Sequence, residues 1–382
     1  MKSESIDDLL RDGFSRKFAS YYLDLAQREY DNPAYTKDFV RWSHARGFLA
    51  ESAAAYGLTD ANASGYLSDY DYYRIWPVNS WARIWINDKL TLKYMLDGTE
   101  FSELMPKYYF YTTPGGLRKL VDAPYQDRNP AIEEFKAVLS EVGEFACKPC
   151  NGATSIGFFR MSCDGGRILV NGEELGEGGL DEFLFQRPNY VFTEYLRPSR
   201  QFRGYSHLIH TLRMVTVNEG GNEPRIIGGY LRIPNSLSGE ANYIIIDKDN
   251  LEKYNVVVDV DFDTGAYGPG KLTYADRAIA AKTHPDNGKP LSGSIEGYET
   301  LREAVLGVAR RFSTIEYMGF DIGITDEGFK CMEINSHPGI KYMQVFAPLL
   351  ADDRTREYFG RKVREVDGLS DVEKAKRNGI VR

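Results

Sequence analysis

The chain is poor in residues that crosslink, coordinate soft metals or span a bilayer. Its 382 residues include four cysteines and five histidines. Cys147 and Cys150 have the spacing of a redox pair. Such a pair opens a helix, however, and this one closes an apolar run and passes into Asn151-Gly152. A zinc ribbon would need a second pair, which is missing, so reduced thiols in a cytoplasm are the expectation. His207 and His210 lie three apart with no third ligand type nearby, and His44 reads as a packed or surface histidine. No apolar stretch approaches the ~20 residues of a membrane span. The first residues, MKSESIDDLLRDGF, lack the apolar centre of a signal peptide. Long basic runs are absent and the net charge is −8, which argues against nucleic acid or an anionic membrane as a partner. The phosphate-loop pattern G-x-x-x-x-G-K-[ST] occurs nowhere, and neither does the H-R-D of protein kinases, so Asp321-Ile-Gly is not read as a kinase metal motif.

Aromatic residues are abundant: 26 tyrosines and 20 phenylalanines supply packing and surfaces against which a base can stack. The length allows one large or two ordinary domains with a substantial core. Apolar residues at helical spacing predict two helices over residues 1–57, broken at Asn32-Pro33 and ended by Gly57. Residues 65–85, rich in aromatics and interrupted by Pro77, read as an irregular wrap. Asn87 or Asp88 then caps the helical run LTLKYML. Lys89 falls in its first turn, where its charge opposes the helix dipole. A helix start already favours anions, so a lysine there suits phosphate, as it also suits plain solvent.

The stretch EFACKPCNGATSIGFF reads as strand, loop, strand. Lys148 ends the first strand, and small residues including Gly152 and Ser155 can lay backbone N–H groups around phosphate oxygens; ordinary hairpins look similar. YVFTEYL is an apolar strand halted by Arg197-Pro198. Its end, Glu194-Tyr195-Leu196, can offer main-chain groups to a base edge, with Tyr195 and Leu196 against the ring; a plain buried strand fits equally. Arg213 and Arg232 lie inside apolar strands, where a guanidinium is costly unless it meets a carboxylate or phosphate in a bidentate fork. Further strands are expected at 225–233, 243–246 and 256–260, loops at 265–270 and 285–293, and helices at 296–315 and from 343 to about 364.

Residues 317–342, YMGFDIGITDEGFKCMEINSHPGIKY, read as two strands joined by the loop Asp326-Glu327-Gly328. A three-residue hairpin loop places a left-handed residue last, where glycine costs least. That loop sets Asp321 opposite Glu333, and alternation puts Asn335 on the same face. Cross-strand Cβ atoms lie roughly 5 Å apart, so two carboxylates and an amide oxygen converge. Two bare carboxylates at that distance repel unless a cation joins them, and an all-oxygen set suits Mg²⁺ held together with phosphates. Taken alone, the pattern describes a solvated sheet edge more readily than a metal site.

The order of these parts resembles the ATP-grasp superfamily over residues 75–350. FACKPCNGATSIGFF looks like its phosphate loop, VFTEYL like its adenine hinge, and GFDIGITDEGFKCMEINSHPG like its metal hairpin. HTLR and SHPG resemble most the sugar-transfer-associated members of bacterial surface-polysaccharide clusters. The resemblance implies an α+β ATP-grasp fold, two α+β lobes gripping ATP, with an N-terminal helical region over 1–75. The ATP-grasp domain would cover 76–350, its smaller nucleotide lobe about 141–197 and its core lobe 198–350, followed by a helical tail over 351–382. It further implies Lys89, Lys148, Gly152 and Ser155 around the phosphates and Glu194, Tyr195 and Leu196 at adenine. Asp321, Glu333 and Asn335 would hold Mg²⁺, or Mn²⁺ in its place, and Arg213 would act with Lys148 on the active-site floor, near the transferred phosphate or the acceptor. Two departures stand out: the loop has fewer glycines than usual, and no acid follows Leu196 to grip the ribose.

The implied activity is ATP-dependent ligation of a carboxylate to an amine through an acyl phosphate. Arginines between 197 and 232 suggest an anionic acceptor, such as an amino acid or an acidic or nucleotide-linked sugar. A sugar phosphotransferase on the same fold and a non-catalytic nucleotide-binding scaffold are the alternatives. The first would need no amine, and the intact Asp321, Glu333 and Asn335 argue against the second.

Overall fold

Alternating strands and amphipathic helices sort this chain into two antiparallel sheets with a helical shell. The computed structural model describes residues 5–120, 122–123, 132–152, 156–221, 223–240, 244–246 and 248–380. It begins with α1 (Ile6–Arg11), α2 (Arg16–Tyr30), α3 (Lys37–Ala45) and α4 (Ala50–Tyr56). Four helices stand where the periodicity predicts two, because Gly13 and Gly47 adopt φ of 95° and 82° and interrupt them. Ser15 and Thr36 cap α2 and α3 through their hydroxyls, and Gly57 ends α4 in the left-handed conformation. His44 is packed: its Nε2 lies 2.7 Å from Glu29 Oε2, and Glu29 also accepts from the first amides of α4. The expected irregular wrap at 65–85 contains α5 (Asp69–Arg74), a helical turn and the start of α6 (Ile84–Asn87). It is no surface decoration, since Tyr70, Tyr72, Ile75 and Trp76 are all buried. Next come α7 (Lys89–Leu96), β1 (Tyr108–Thr113) and β2 (Gly116–Lys119).

The first sheet adds α8 (Ile132–Val142), β3 (Glu144–Pro149), β4 (Phe159–Asp164), β5 (Arg167–Val170), β6 (Glu173–Glu174), α9 (Gly179–Phe185) and β7 (Tyr190–Glu194). Its order is β2-β1-β7-β3-β4-β5-β6, so it draws in chain from well before residue 141. Phe110, Phe135, Phe145 and Phe192 fill its core against α8 and α9.

The second sheet holds β8 (Thr211–Val217), β9 (Arg225–Ile233), β10 (Asn255–Val260), β11 (Ala266–Thr273), β12 (Ala278–Ala281) and β13 (Gly293–Ser294). After α10 (Tyr298–Arg311) it is completed by β14 (Tyr317–Thr325) and β15 (Gly328–Asn335). The order is β12-β11-β10-β9-β8-β14-β15, with β13 on β11. Residues 265–270 were expected to be a loop, yet most of them belong to β11. Its glycines act by making room: a Cβ on Gly270 would lie 2.6 Å from Leu291 Cδ1. Residues 244–246 form no strand, and Tyr243 lies outside the described residues. The long helix expected from 343 is divided at Pro348 into α11 (Lys341–Gln344) and α12 (Asp353–Asp367), the latter capped by Asp352; α13 (Asp371–Arg377) follows.

Both faces of the second sheet are covered. Met318, Phe320, Ile322 and Ile324 of β14 join Leu212 and Met214 on the α10 side. Tyr317, Val215 and Val217 face the helical shell with Tyr72, Tyr358 and Phe359. Between these packed regions the intervening positions of β14 are Gly319, Asp321 and Gly323, and this small-and-acidic register opens the cleft.

Candidate functional site

The hairpin reverses in two residues, not three. Thr325 pairs with Gly328 and Ile322 with Cys331, so an unbroken ladder would set Met332 opposite Asp321. A bulge there leaves Met332 unpaired and returns Glu333 to Asp321, followed by Ile334 to Phe320 and Asn335 to Gly319. The expected pairing therefore stands, by a route the loop-length argument does not contain. Gly328 has φ 105°, where glycine is indeed favoured. Glycines flank the acid for steric reasons. A Cβ on Gly319 would lie 2.5 Å from Pro338, and one on Gly323 would lie 3.2 Å from Leu196.

Each carboxylate meets a protein cation. Asp321 takes a bidentate fork from Arg213, across the adjacent pair of β14 and β8, with the second bond at 2.7 Å. Glu333 Oε2 lies 3.2 Å from Lys89 Nζ. Asn335 Nδ2 donates to Asp321 Oδ2 at 3.3 Å and to Glu333 Oε1 at 3.1 Å, binding the three side chains into one cluster. Burial raises the Asp321 carboxyl despite Arg213. Burial acts the same way on Glu333, but the Lys89 ammonium, with hydrogen bonding inside the cluster, overcomes it and holds that carboxyl below its usual range. This donor set fits a hard divalent cation, which would replace the charge that Arg213 and Lys89 now supply. Ligation by Asn335 needs its Oδ1, so its carboxamide must turn over. Among the described residues no group of three or more His, Cys, Asp or Glu forms a metal cluster. The protein's share is two carboxylates and one amide, leaving other positions to phosphate and water.

Lys89, Asp321 and Glu333 line a cleft between the two sheets. Asp88 caps α7 by accepting from Thr91 N, which fixes Lys89 at the helix start. Lys89 N donates to Cys150 O at 3.0 Å and its Nζ to Gly152 O at 3.2 Å, so the helix start is bonded to the loop after β3. Lys148 lines the same cleft, where burial and the Lys89 ammonium lower its pKa to about 8. Gly152 is brought to this wall; Ser155 lies outside the described residues.

Glu194, Tyr195 and Leu196, at the end of β7, line the same cleft. Leu196, Ile209, Met332 and Ala146 form an apolar slot there. Glu194 Oε1 is buried without a hydrogen-bond partner among the described residues, and burial raises its pKa. Tyr195 is already engaged: Arg160 and Arg197 lie 5.2 and 4.7 Å from its ring centre, and its hydroxyl donates to Glu240.

Sequence reasoning left several cleft residues unassigned, among them Met332, Glu240 and Arg232. Met332 enters through the bulge, which no strand alternation predicts. Glu240 comes from the loop after β9 and carries no local signal; it also meets Arg160 at 3.5 Å, linking the two sheets. Arg232 carried a signal, an arginine inside an apolar strand; it sits opposite Thr211 and faces the cleft.

The surplus of arginines as a sign of an anionic acceptor needs correction. Arg197 pairs with Glu144, Arg203 with Asp326, Arg213 with Asp321, and Arg225 with Asp352 and Thr355. Those guanidiniums meet carboxylates of the chain itself; among the described residues of that stretch, Arg232 is the arginine that lines the cleft.

Residues 128–352 match the model of a family described as sugar-transfer-associated ATP-grasp. A search of curated proteins finds no match. Among solved structures the chain is similar to D-alanyl-alanine synthetase A from Vibrio cholerae O1 biovar eltor, at 14% identity and TM-score 0.41, over 74% of this chain. The match spans 65% of that enzyme's length. It is also similar to D-alanine–D-alanine ligase from Bacillus anthracis complexed with ATP, at 12% identity and TM-score 0.34, over 77% of this chain and 68% of the other. A macrocyclase from Microcystis aeruginosa MRC, bound with its precursor peptide, matches at 12% identity and TM-score 0.37, over 80% and 73%. Among the described residues no helix is long and apolar enough to cross a membrane.

Proposed function

The chain belongs to the sugar-transfer-associated ATP-grasp family, and from that premise we propose that it is an ATP-dependent carboxylate–amine ligase acting in the cytoplasm on bacterial surface-polysaccharide or glycan precursors. The observation that carries this reading is the convergence of Asp321, Glu333 and Asn335 with Lys89 in one bonded cluster, whose acids and lysine line a cleft beside Lys148 and an apolar slot. Adenine enters the slot of Leu196, Ile209 and Met332, and the orphaned Glu194 Oε1 offers an acceptor to its exocyclic amine. Glu240 faces the ribose hydroxyls, filling the place that no acid after Leu196 supplies. The phosphates reach Lys89, Lys148 and the loop at Gly152.

Asp321, Glu333 and the turned amide of Asn335 would hold Mg²⁺, or Mn²⁺ in its place, which when bound would neutralise charge on the phosphoryl oxygens. Lys89 and Lys148 stabilise the same charge from positions set before the reaction. A substrate carboxylate oxygen attacks the γ-phosphorus, the bond to the β,γ-bridging oxygen breaks, and ADP leaves an acyl phosphate behind. An amine then attacks the acyl carbon; inorganic phosphate departs and the nitrogen gives up a proton, leaving an amide. No protein nucleophile is required. Arg213 acts by holding Asp321, and Arg232 is the cation that meets an anionic group of the carboxylate or acidic-sugar substrate.

The experiment supplies Mg-ATP with mixed amino acids and uronic acids, follows ADP release and identifies the product by mass spectrometry. An amide formed with one inorganic phosphate per ADP is the expected result. Glu333→Gln should lower turnover at least 100-fold with unchanged circular dichroism. A phosphorylated sugar formed without an amine, or normal turnover by Glu333→Gln, overturns the reading.

A further inference from the structure

The residue that follows Asn335 is held in an unusual way. Ser336 is 5% exposed, and both of its backbone polar groups go to side chains from one distant segment. Its N–H donates to Asn87 Oδ1 at 3.1 Å, and its carbonyl accepts from Asn79 Nδ2 at 3.2 Å. Asn79 does more than reach Ser336. Its Nδ2 also donates to Tyr317 O at 2.7 Å, and its Oδ1 accepts from Tyr317 N at 2.9 Å.

The register explains why a side chain is needed there. Gly319 opposite Asn335 is the last pair of the β14–β15 ladder. Beyond it β15 turns away, and Tyr317 is left with a donor and an acceptor on that side. Asn79 supplies a carboxamide, which carries the same donor and acceptor as a peptide group, and so stands in for the missing rung. It is buried at 4% exposure, where unmade bonds to these backbone groups would be expensive. Asn87 then fixes the other side of the Ser336 peptide, two residues before Lys89, which itself meets Glu333.

We propose that Asn79 and Asn87 are positioning residues for the metal-binding end of β15. They fix the Ser336 backbone and thereby set where the Asn335 amide lies relative to Asp321 and Glu333. Residues 79–89 then serve the site twice: Lys89 acts on the phosphates directly, and the two asparagines act on the cation through Asn335. This rests on the ligase reading's metal site, but not on the identity of the substrates.

The test uses Mn²⁺ as the probe and reads free Mn²⁺ by electron paramagnetic resonance in the presence of ADP. Asn87 is exposed, so its truncation opens no cavity. Asn87→Ala should weaken Mn²⁺ binding at least fivefold, and Asn87→Asp, which keeps the acceptor oxygen, should return it to within twofold of the unaltered protein. ADP affinity measured in EDTA should stay within twofold for both. Asn79→Ala, checked for folding by circular dichroism, should weaken Mn²⁺ more than Asn87→Ala does. Unchanged Mn²⁺ affinity in Asn87→Ala overturns the proposal. So does an Asn87→Asp variant as weak as Asn87→Ala, or a parallel loss of ADP affinity in EDTA. If the unaltered protein binds no Mn²⁺ with ADP, the ligase reading falls and takes this proposal with it.

Discussion

Two stretches of chain meet at Ser336, and they contribute to the site in opposite ways. The hairpin β14–β15 delivers side chains: Asp321 and Glu333 line the cleft and Asn335 bonds to both, because alternation and one bulge put the three on a single face. The segment from α5 to α7 delivers one cleft side chain, Lys89, and otherwise holds backbone. Tyr72 bonds Pro338 O, Asn79 bonds Tyr317 and Ser336, and Asn87 bonds Ser336. The hairpin's geometry is contained within 19 residues of sequence. The segment's bonds reach partners 238 and 257 positions away. A site can therefore have its ligands on one element and its precision on another, and the second kind of residue leaves no periodic trace.

The sharpest break between the two would come from Arg213, which belongs to neither. It is 9% exposed and forks onto Asp321, itself 6% exposed. Arg213→Met should cost ~3 kcal/mol or more, because it leaves a buried carboxylate without its counter-charge. Urea unfolding measures this, and added Mg²⁺ with ADP should recover part of the loss by bringing a replacement cation to Asp321. A cost below ~1 kcal/mol would show that the hairpin holds its own acid and that the neighbouring strand is dispensable.

What could be read from the chain follows the same division. The strand that carries Lys148, the strand that ends at Glu194 and the Asp321–Glu333 pairing are local patterns, and sequence reasoning reached them. The hairpin loop was misjudged by one residue, and the bulge at Met332 cancelled the error at the acids. That bulge costs one ladder position and brings Met332 into the cleft, so its signal is functional and not periodic. Glycines misled in both directions. Gly13 and Gly47 ended helices that looked continuous, while Gly268 and Gly270, read as part of a loop, allow β11 to pass close to Leu291. The segment over 65–85 was the largest miss, since its order comes from burial against β14 and the chain after β15 rather than from its own spacing.

Lys148 joins the two kinds of information. Its place at a strand end is local, but its charge depends on burial and on Lys89, which arrives from 59 positions earlier in the chain. Both effects disfavour the ammonium, so the charge is fully present well below pH 8 and is lost as pH rises through about 8. Between pH 7 and pH 9 the charged fraction drops about tenfold, and kcat/KM for ATP should fall in proportion. Lys148→Arg stays ionised and should flatten the profile. A flat profile in the unaltered protein would mean that Lys148 does not meet the nucleotide as a cation.

The smallest expected effect asks how far the segment's influence extends. Tyr72 stacks on His337 with ring centres 4.0 Å apart and planes 12° apart, and its hydroxyl donates to Pro338 O. Tyr72→Phe keeps the stack and removes that bond, so stability should drop by about 1 kcal/mol in urea unfolding. Its effect on Mn²⁺ affinity should be under twofold, because Pro338 lies beyond the residue that Asn79 and Asn87 fix. The two readouts separate general bracing from positioning. A fivefold loss of Mn²⁺ affinity in Tyr72→Phe would extend the positioning role along Ser336-His337-Pro338. An effect on stability alone would place it at the Ser336 peptide, where two asparagine side chains do what a sheet's next strand would otherwise do.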